Sequence, residues 1–230
     1  MDIFQAMKQR HSVRQYTPEP LSKADITVLR QEIEHCNKES GLHIQLVVNE
    51  PRAFDSFLAH YGSFSGVQNY IALVGEKGSC LEEACGYYGQ RLVLKAQQLG
   101  LNTCWAALTY RKTSGAFEIG RRERLAAVIA LGHGVSDGKP HRSKSRSAVS
   151  NAGPGTPAWF QAGVDAALLA PTAMNQQKFY LSYENGNVHA KAGLGFYSKM
   201  DLGIIKFQFI YSILYNPCIF KAYRLLNVQT

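Results

Sequence analysis

Three short stretches carry side chains whose types and spacing could do chemistry. The first is Arg10-His11-Ser12-Val13-Arg14-Gln15-Tyr16. Its two guanidiniums lie four residues apart with a hydroxyl between them. They can converge on a phosphate or a polyol, because arginine offers a planar fork of donors and serine adds a short one. The same spacing also fits an amphipathic N-terminal helix with an exposed basic face. The second stretch is Ala170-Pro171-Thr172-Ala173-Met174-Asn175-Gln176-Gln177-Lys178-Phe179. Such a turn can present Thr and Asn side chains and free backbone groups to a flat heteroaromatic ring, although a plain helix-ending turn explains the Pro and Asn as well. The third is Lys144-Ser145-Arg146, ten residues after Leu131-Gly132-His133-Gly134. In extended backbone this pair can grip a phosphate from one side; otherwise it is a solvated charge pair.

Other chemistries lack local support. There is no Ser/His/Asp arrangement, no H-E-x-x-H and no G-x-G-x-x-G followed by a ribose-binding acid, which leaves hydrolases, zinc proteases and Rossmann dehydrogenases without a motif. The five cysteines are odd in number, scattered and without a C-x-x-C. Neither a disulfide framework nor a metal site is expected, and reduced thiols in a cytoplasmic protein fit.

The 230 residues suit one large domain or two small ones. A hydrophobic share of 46% with 18% charged residues excludes disorder. The net charge of +8 is uneven: residues 1–135 hold 15 basic against 13 acidic side chains, residues 136–230 hold 10 against 4. Much of the second excess lies in Lys139–Arg146, readable as solvated loop, nucleic-acid contact or phosphate clamp. Nucleic-acid binding would interleave aromatic side chains, and none occurs between 136 and 158. Residues 1–16 contain Asp2 and no apolar run of signal-peptide length. The stretch Ile204–Phe220 is broken by Lys206, Gln208, Asn216 and Pro217, so no membrane span is expected.

The elements that must position these stretches follow from patterning. Ser22 with Asp25 three residues later resembles a capping box, and Ile26, Leu29 and Ile33 predict a helix over 22–36. His43–Val48 and Tyr70–Val74 read as strands, with a short helix near 52–60 between them. Ala84, Tyr88, Leu92, Ala96 and Leu99 mark a long helix closed by Gly100. Asn102–Leu108 and Ala126–Leu131 read as extended or buried segments, with a basic helical piece around Arg121–Arg124 between them. Residues 136–157 read as a long surface connection. Thr156 offers an N-cap with Pro157 at N1, for a helix through Trp159–Ala170 that Pro171 must stop. A hairpin follows, Lys178–Glu184 and Asn187–Ala190 about Asn185-Gly186. Alternating strands and helices predict a mixed layered domain.

Taken together, four motifs carry a resemblance: Arg-His-Ser-x-Arg-x-Tyr near the start, Gly100-Leu-Asn-Thr-Cys-Trp105 after the long helix, Ala130-Leu-Gly-His-Gly134 followed by Lys-Ser-Arg, and Ala-Pro-Thr-Ala-x-Asn-Gln-Gln. Over most of residues 1–200 the chain resembles the nitroreductase superfamily of FMN-dependent oxidoreductases. The resemblance implies an α+β fold with a mixed, largely antiparallel sheet flanked by helices. In that family the Ala-Pro-Ser-x-x-Asn-x-Gln-Pro motif usually comes soon after the arginine motif, whereas here its equivalent starts at residue 170. This looks like the duplicated branch, with two related halves in one chain: 1–135 as the first half, 136–157 as a basic Gly/Pro/Ser-rich connection, and 158–230 as the second half completing the flavin site. Beyond Lys206 the sequence does not resemble the expected family ending.

What the resemblance implies is a monomer acting as a fused dimer, with one FMN per chain. Arg10, His11, Ser12, Arg14, Lys144 and Arg146 would surround the phosphate and ribityl chain. Pro171, Thr172, Ala173 and Asn175 would line the pyrimidine side, with the backbone of Trp105 and Ala106 opposite. Tyr16, Trp105 and Phe179 are candidate ring-facing walls or core aromatics. A hydride from NADH or NADPH would reach flavin N5 and pass to a nitroaromatic, a quinone or a similar small acceptor, with no catalytic side chain required. No nucleic-acid or membrane partner is expected. The alternatives are a non-catalytic flavin-binding or sensor protein and, further off, a nucleic-acid binder.

Overall fold

The computed structural model describes residues 1–54, 63–107 and 115–214. Caps set the first two helices. Asp2 accepts the Gln5 amide at 2.8 Å and the Gln5 side chain accepts the Asp2 amide at 3.1 Å, which starts α1 (Ile3–Gln9). Ser22 accepts the Asp25 amide at 3.0 Å and starts α2 (Lys23–Ser40), which ends at Gly41 with φ 71°.

A sheet follows. It contains β1 (Gln45–Val47) and β2 (Asn69–Glu76), then, after the long helix α3 (Leu81–Gln98), β3 (Asn102–Ala106) and β4 (Glu123–Gly132). The strands are antiparallel in the order β1-β2-β4-β3. Both faces are covered, so the apolar residues alternate between two cores instead of between core and water. Ile71, Leu73, Ile129 and Leu131 point to α2 and α3, against Leu29, Ile33 and Leu92. Tyr70, Ala72, Val74, Val128 and Ala130 point the other way, against Val13, Phe54 and Phe64.

The rest of the described chain builds a second layer. It comprises the single turn α4 (Arg146–Val149), α5 (Ala158–Leu168), the hairpin β5 (Phe179–Glu184) and β6 (Asn187–Ala192), and α6 (Ser198–Leu214). Asn185 and Gly186, with φ of 51° and 84°, make the tight turn that matches strand twist. Phe160, Val164, Leu181, Ile205 and Phe209 form its core.

The two layers meet where α6 crosses α3. A Cβ on Gly86 would lie 2.9 Å from the Met200 carbonyl carbon and 3.1 Å from the Ile204 nitrogen. A Cβ on Gly203 would lie 2.9 Å from the Glu83 carbonyl carbon and 2.7 Å from the Tyr87 nitrogen. Each glycine thus meets the residue three before and the residue one after its opposite number. Backbone approach this close requires glycine on both helices.

Several sequence expectations shift. Arg121 and Arg122 form a turn, not a helical piece, because pairing of Glu123 and Arg124 with Glu76 and Gly75 draws them into the sheet. The helix expected to be capped by Thr156 begins one residue later, with Pro157 itself at the N-cap (φ −58°, ψ 145°). The Thr156 hydroxyl instead donates to the Gly153 carbonyl at 2.8 Å. That helix stops at Leu168, ahead of Pro171. The 136–157 connection is not all surface: Val149 is fully buried, and Ser150 bridges to Leu181 in β5. Of the helix expected near 52–60, a 3₁₀ turn at Pro51–Ala53 is present, and residues 55–60 lie outside the described residues. Leu108 and the end of the chain from residue 215 lie outside them as well.

Candidate functional site

The N-terminal motif is extended, not helical. Arg10 caps α1 with φ −68° and ψ 117°, and the chain then runs along the open edge of β3. Ser12 bridges to Thr103, and the Val13 amide donates to the Thr103 carbonyl at 3.0 Å. This places Arg10, Ser12 and Arg14 at the rim of a polar cleft of about 470 Å³.

Arg10 is the notable residue there. Only 3% of it is exposed, and its Nε has no hydrogen-bond partner. Burial holds its guanidinium down to about 10, against a smaller opposing effect of Cys104, so it stays protonated at neutral pH. A buried cation with an unspent N–H calls for an acceptor. His11 faces the same cleft and pairs its Nδ1 with the Asp137 carbonyl at 3.1 Å. Lys139 and His141 line it too, and among the described residues no carboxylate does. His141 Nε2 lies 2.9 Å from the Leu168 carbonyl.

A second, largely apolar cleft of about 350 Å³ adjoins the first and shares Ser12, Arg14, Pro171, Thr172 and Met174 with it. Cys104, Trp105 and Ala106 of β3 line it, with Ala107 just after the strand. Trp105 packs against Gly89, where a Cβ would sit 3.1 Å from its Cζ2, and the indole N–H has no partner. Burial pushes the Cys104 thiol up, so it is neutral. The walls are the Pro171–Met174 turn, a loop at Phe196 and Tyr197, and the start of α6.

The turn is held in place by three sets of bonds. The Gln177 amide donates to Thr172 Oγ1 at 3.1 Å. Asn175 Nδ2 and Gln177 Nε2 donate to the Arg142 carbonyl at 2.9 and 2.8 Å. Asp201, at the start of α6, accepts the Ala173 amide at 2.9 Å.

Of the twelve residues named from the sequence, Arg10, His11, Ser12, Arg14, Trp105, Ala106, Pro171, Thr172, Ala173 and Asn175 line one or both clefts. Lys144 and Arg146 line neither. Lys144 Nζ donates to the Gln177 carbonyl at 3.0 Å, and Arg146 is bound to Asp165 on the surface. Tyr16 and Phe179 are core aromatics: the Tyr16 hydroxyl donates to the Val13 carbonyl at 2.7 Å, and Phe179 packs among Phe160, Val164 and Ile205. Sequence reasoning missed Lys139, His141, Phe196 and Asp201. The first two lay inside a run already noted, but its register on the cleft depends on the tertiary fold.

The class this defines is a mixed α+β protein with an anion-ready cleft opening into an apolar one between its layers. A family model described as "Putative TM nitroreductase" matches residues 2–213, and the chain belongs to that family. It is an oxidoreductase of the nitroreductase type. Among solved structures, a "putative nitroreductase" from Thermotoga maritima superposes with a TM-score of 0.68 at 20% identity, covering 93% of this chain and 84% of its own. A "putative nitroreductase in complex with FMN" from Desulfovibrio desulfuricans gives 0.51 at 22%, covering 65% and 95%. A "putative NADH dehydrogenase/NAD(P)H nitroreductase" from Bacteroides thetaiotaomicron gives 0.50 at 17%, covering 64% and 95%. At these identities the likeness is one of fold. None of the curated proteins matches. No helix among the described residues is long and apolar enough to cross a membrane, and no group of three His, Cys, Asp or Glu there could hold a metal ion.

Proposed function

We propose that the chain binds one FMN and passes a hydride from NADH or NADPH to a nitroaromatic, quinone or similar acceptor. The observation that carries this is the buried Arg10 guanidinium, with a partnerless Nε at a cleft that no carboxylate lines among the described residues. A phosphate fits that donor set: Arg10, Ser12 and Arg14 would hold it, with Lys139 and His141 facing them. Lys144 and Arg146 would contribute only by supporting the turn and the neighbouring surface. The adjoining apolar cleft suits a flat ring, with Trp105 and Ala106 beneath and Pro171, Thr172 and Ala173 at its edge. The FMN complex of the Desulfovibrio relative supports the same reading.

When bound, the flavin supplies the hydride chemistry. The chain's residues hold the phosphate, orient the ring and exclude water; none of them needs to act as acid or base. The fused-dimer reading draws support from the reciprocal contacts of Gly86 and Gly203, which are those of two helices related by an approximate two-fold axis. On that reading residues 1–135 and 158–230 are the two halves, and the site lies between them.

The absorption spectrum of the purified protein tests it. Flavin bands at one equivalent per monomeric chain, with oxidation of NADH or NADPH by an added quinone, are expected. A colourless protein that takes up no FMN overturns the reading. Flavin without turnover reduces it to a flavin-binding protein, and two flavins per chain remove the fused dimer.

A further inference from the structure

The turn and the loop on either side of the apolar cleft are both held in strained backbone. Met174, Asn175 and Gln177 have φ of 50°, 52° and 44°, and Tyr197 has φ 56°. Non-glycine residues rarely enter this region, and they persist there only where surrounding contacts over-determine them. One carboxylate joins the two segments. Asp201 Oδ1 accepts the Ala173 amide at 2.9 Å and Oδ2 accepts Gln176 Nε2 at 2.8 Å. The same Gln176 amide nitrogen donates to the Phe196 carbonyl at 2.6 Å, and the Asp201 amide donates to the Tyr197 carbonyl at 2.9 Å. Asp201 is 4% exposed and lines the cleft.

We propose that Asp201 is the positioning residue of the ring cleft: its carboxylate clasps the 172–177 turn and the 194–197 loop in the shape that receives the ring. An ionised carboxylate accepts at both oxygens. An amide in its place accepts at one oxygen only and turns an N–H₂ donor to the other partner, so one bond of the clasp is lost. The identity of the ligand rests on the flavin reading above; the clasp itself does not.

The carboxylate is held in the clasp at a cost in stability. Burial pushes the Asp201 carboxyl up to about 6, against smaller opposing effects of Gln176 and Ala173. The ionised form is therefore less favourable in the folded chain than in the unfolded one, and stability alone gives no reason to keep it. Of the charged and titratable groups near it, Arg14 lines the same cleft. Tyr197 and Cys104 are neutral, since burial pushes both up. On the α3 side, Glu83 is bound to Lys206 and Glu82 to Arg124. Lys199, on the first turn of α6, is exposed.

Hydrogen exchange on the ligand-free protein tests the clasp without any flavin. At about pH 7.5, residues 172–177 and 194–197 should exchange faster in Asp201→Asn than in wild type, while α5 and β5 keep their protection. The new side-chain amide turns a donor toward Gln176 or Ala173, so one bond of the clasp goes. Unchanged protection of the two segments in the variant, or a loss spread evenly over the molecule, overturns the proposal. Riboflavin is the second probe, because it lacks the phosphate and reads the ring cleft alone. Its dissociation constant should be about tenfold higher for Asp201→Asn, although that variant is not the less stable protein at this pH. Equal constants for the two proteins overturn the clasp. If neither riboflavin nor FMN binds while the exchange pattern holds, the flavin reading falls and the clasp stands.

Discussion

Arg146 and Asp165 meet edge to edge, Nε to Oδ1 and Nη2 to Oδ2, both at 2.5 Å, on an open surface where each side chain is about half exposed. A guanidinium engaged this way has little left to offer a phosphate, whereas Arg10 is buried with a free N–H. Arg10→Ala should therefore weaken FMN binding by about 1.5–3 kcal/mol, the usual worth of a charge-assisted bond, and leave riboflavin nearly unaffected. Arg146→Ala should bind FMN like wild type. Fluorescence titration decides it, and the reverse ranking of the two variants would sink the assignment.

The contrast between those two arginines shows what the sequence could and could not reveal. Strands β2 and β4, helix α3 with Gly100 and the Asn185-Gly186 hairpin were legible because each is written in local periodicity and turn chemistry. The arginine and Ala-Pro-Thr-Ala-x-Asn motifs were legible as donor sets. Which basic residue of the Lys139–Arg146 run reaches the cleft was not, because it depends on where the run crosses the Arg10 strand. The Thr156 cap misled for a similar reason: a local Gly153–Thr156 turn had already taken the hydroxyl. Asp201 gave no signal, since an acid in the first turn of a helix reads as a surface residue complementing the helix dipole.

The α3–α6 crossing should tolerate no side chain. In both Gly86→Ala and Gly203→Ala the new Cβ meets backbone, which cannot rotate away, so each should cost about 1–3 kcal/mol or more in urea unfolding. Both changes force the same two helices apart, so the double variant should lose less than the two single losses combined. Wild-type midpoints for either single variant would mean that the helices do not approach this closely.

Asp201 also sets a pH dependence of stability whose sign is opposite to that of a salt-bridged acid. Its folded value, about 6, lies above the ordinary 3.8. Its contribution is thus fully present below the unfolded value and is lost as pH rises through the folded one, a swing on the order of 3 kcal/mol. Asp201→Asn should be the more stable protein at about pH 7.5, and the gap should close toward about pH 4. The difference between the two denaturation profiles isolates this group from the other acids. Parallel profiles would remove it.

Turnover should follow an alternating scheme in which reductant and acceptor exchange at one opening. No dinucleotide fingerprint occurs in the sequence, so the nicotinamide has no separate bay among the motifs and must dock at the flavin cleft itself. The two clefts share Ser12, Arg14, Pro171, Thr172 and Met174, so a flavin bound as proposed would span both. With the proposed ring in the cleft of about 350 Å³, two further flat molecules would not fit beside it. Reductant and acceptor must then compete for the same space, each binding after the other has left. Steady-state rates measured at several fixed acceptor concentrations should give parallel double-reciprocal lines, and a planar inhibitor should compete with both substrates. Lines that intersect to the left of the axis would require both molecules bound at once and would defeat the shared opening.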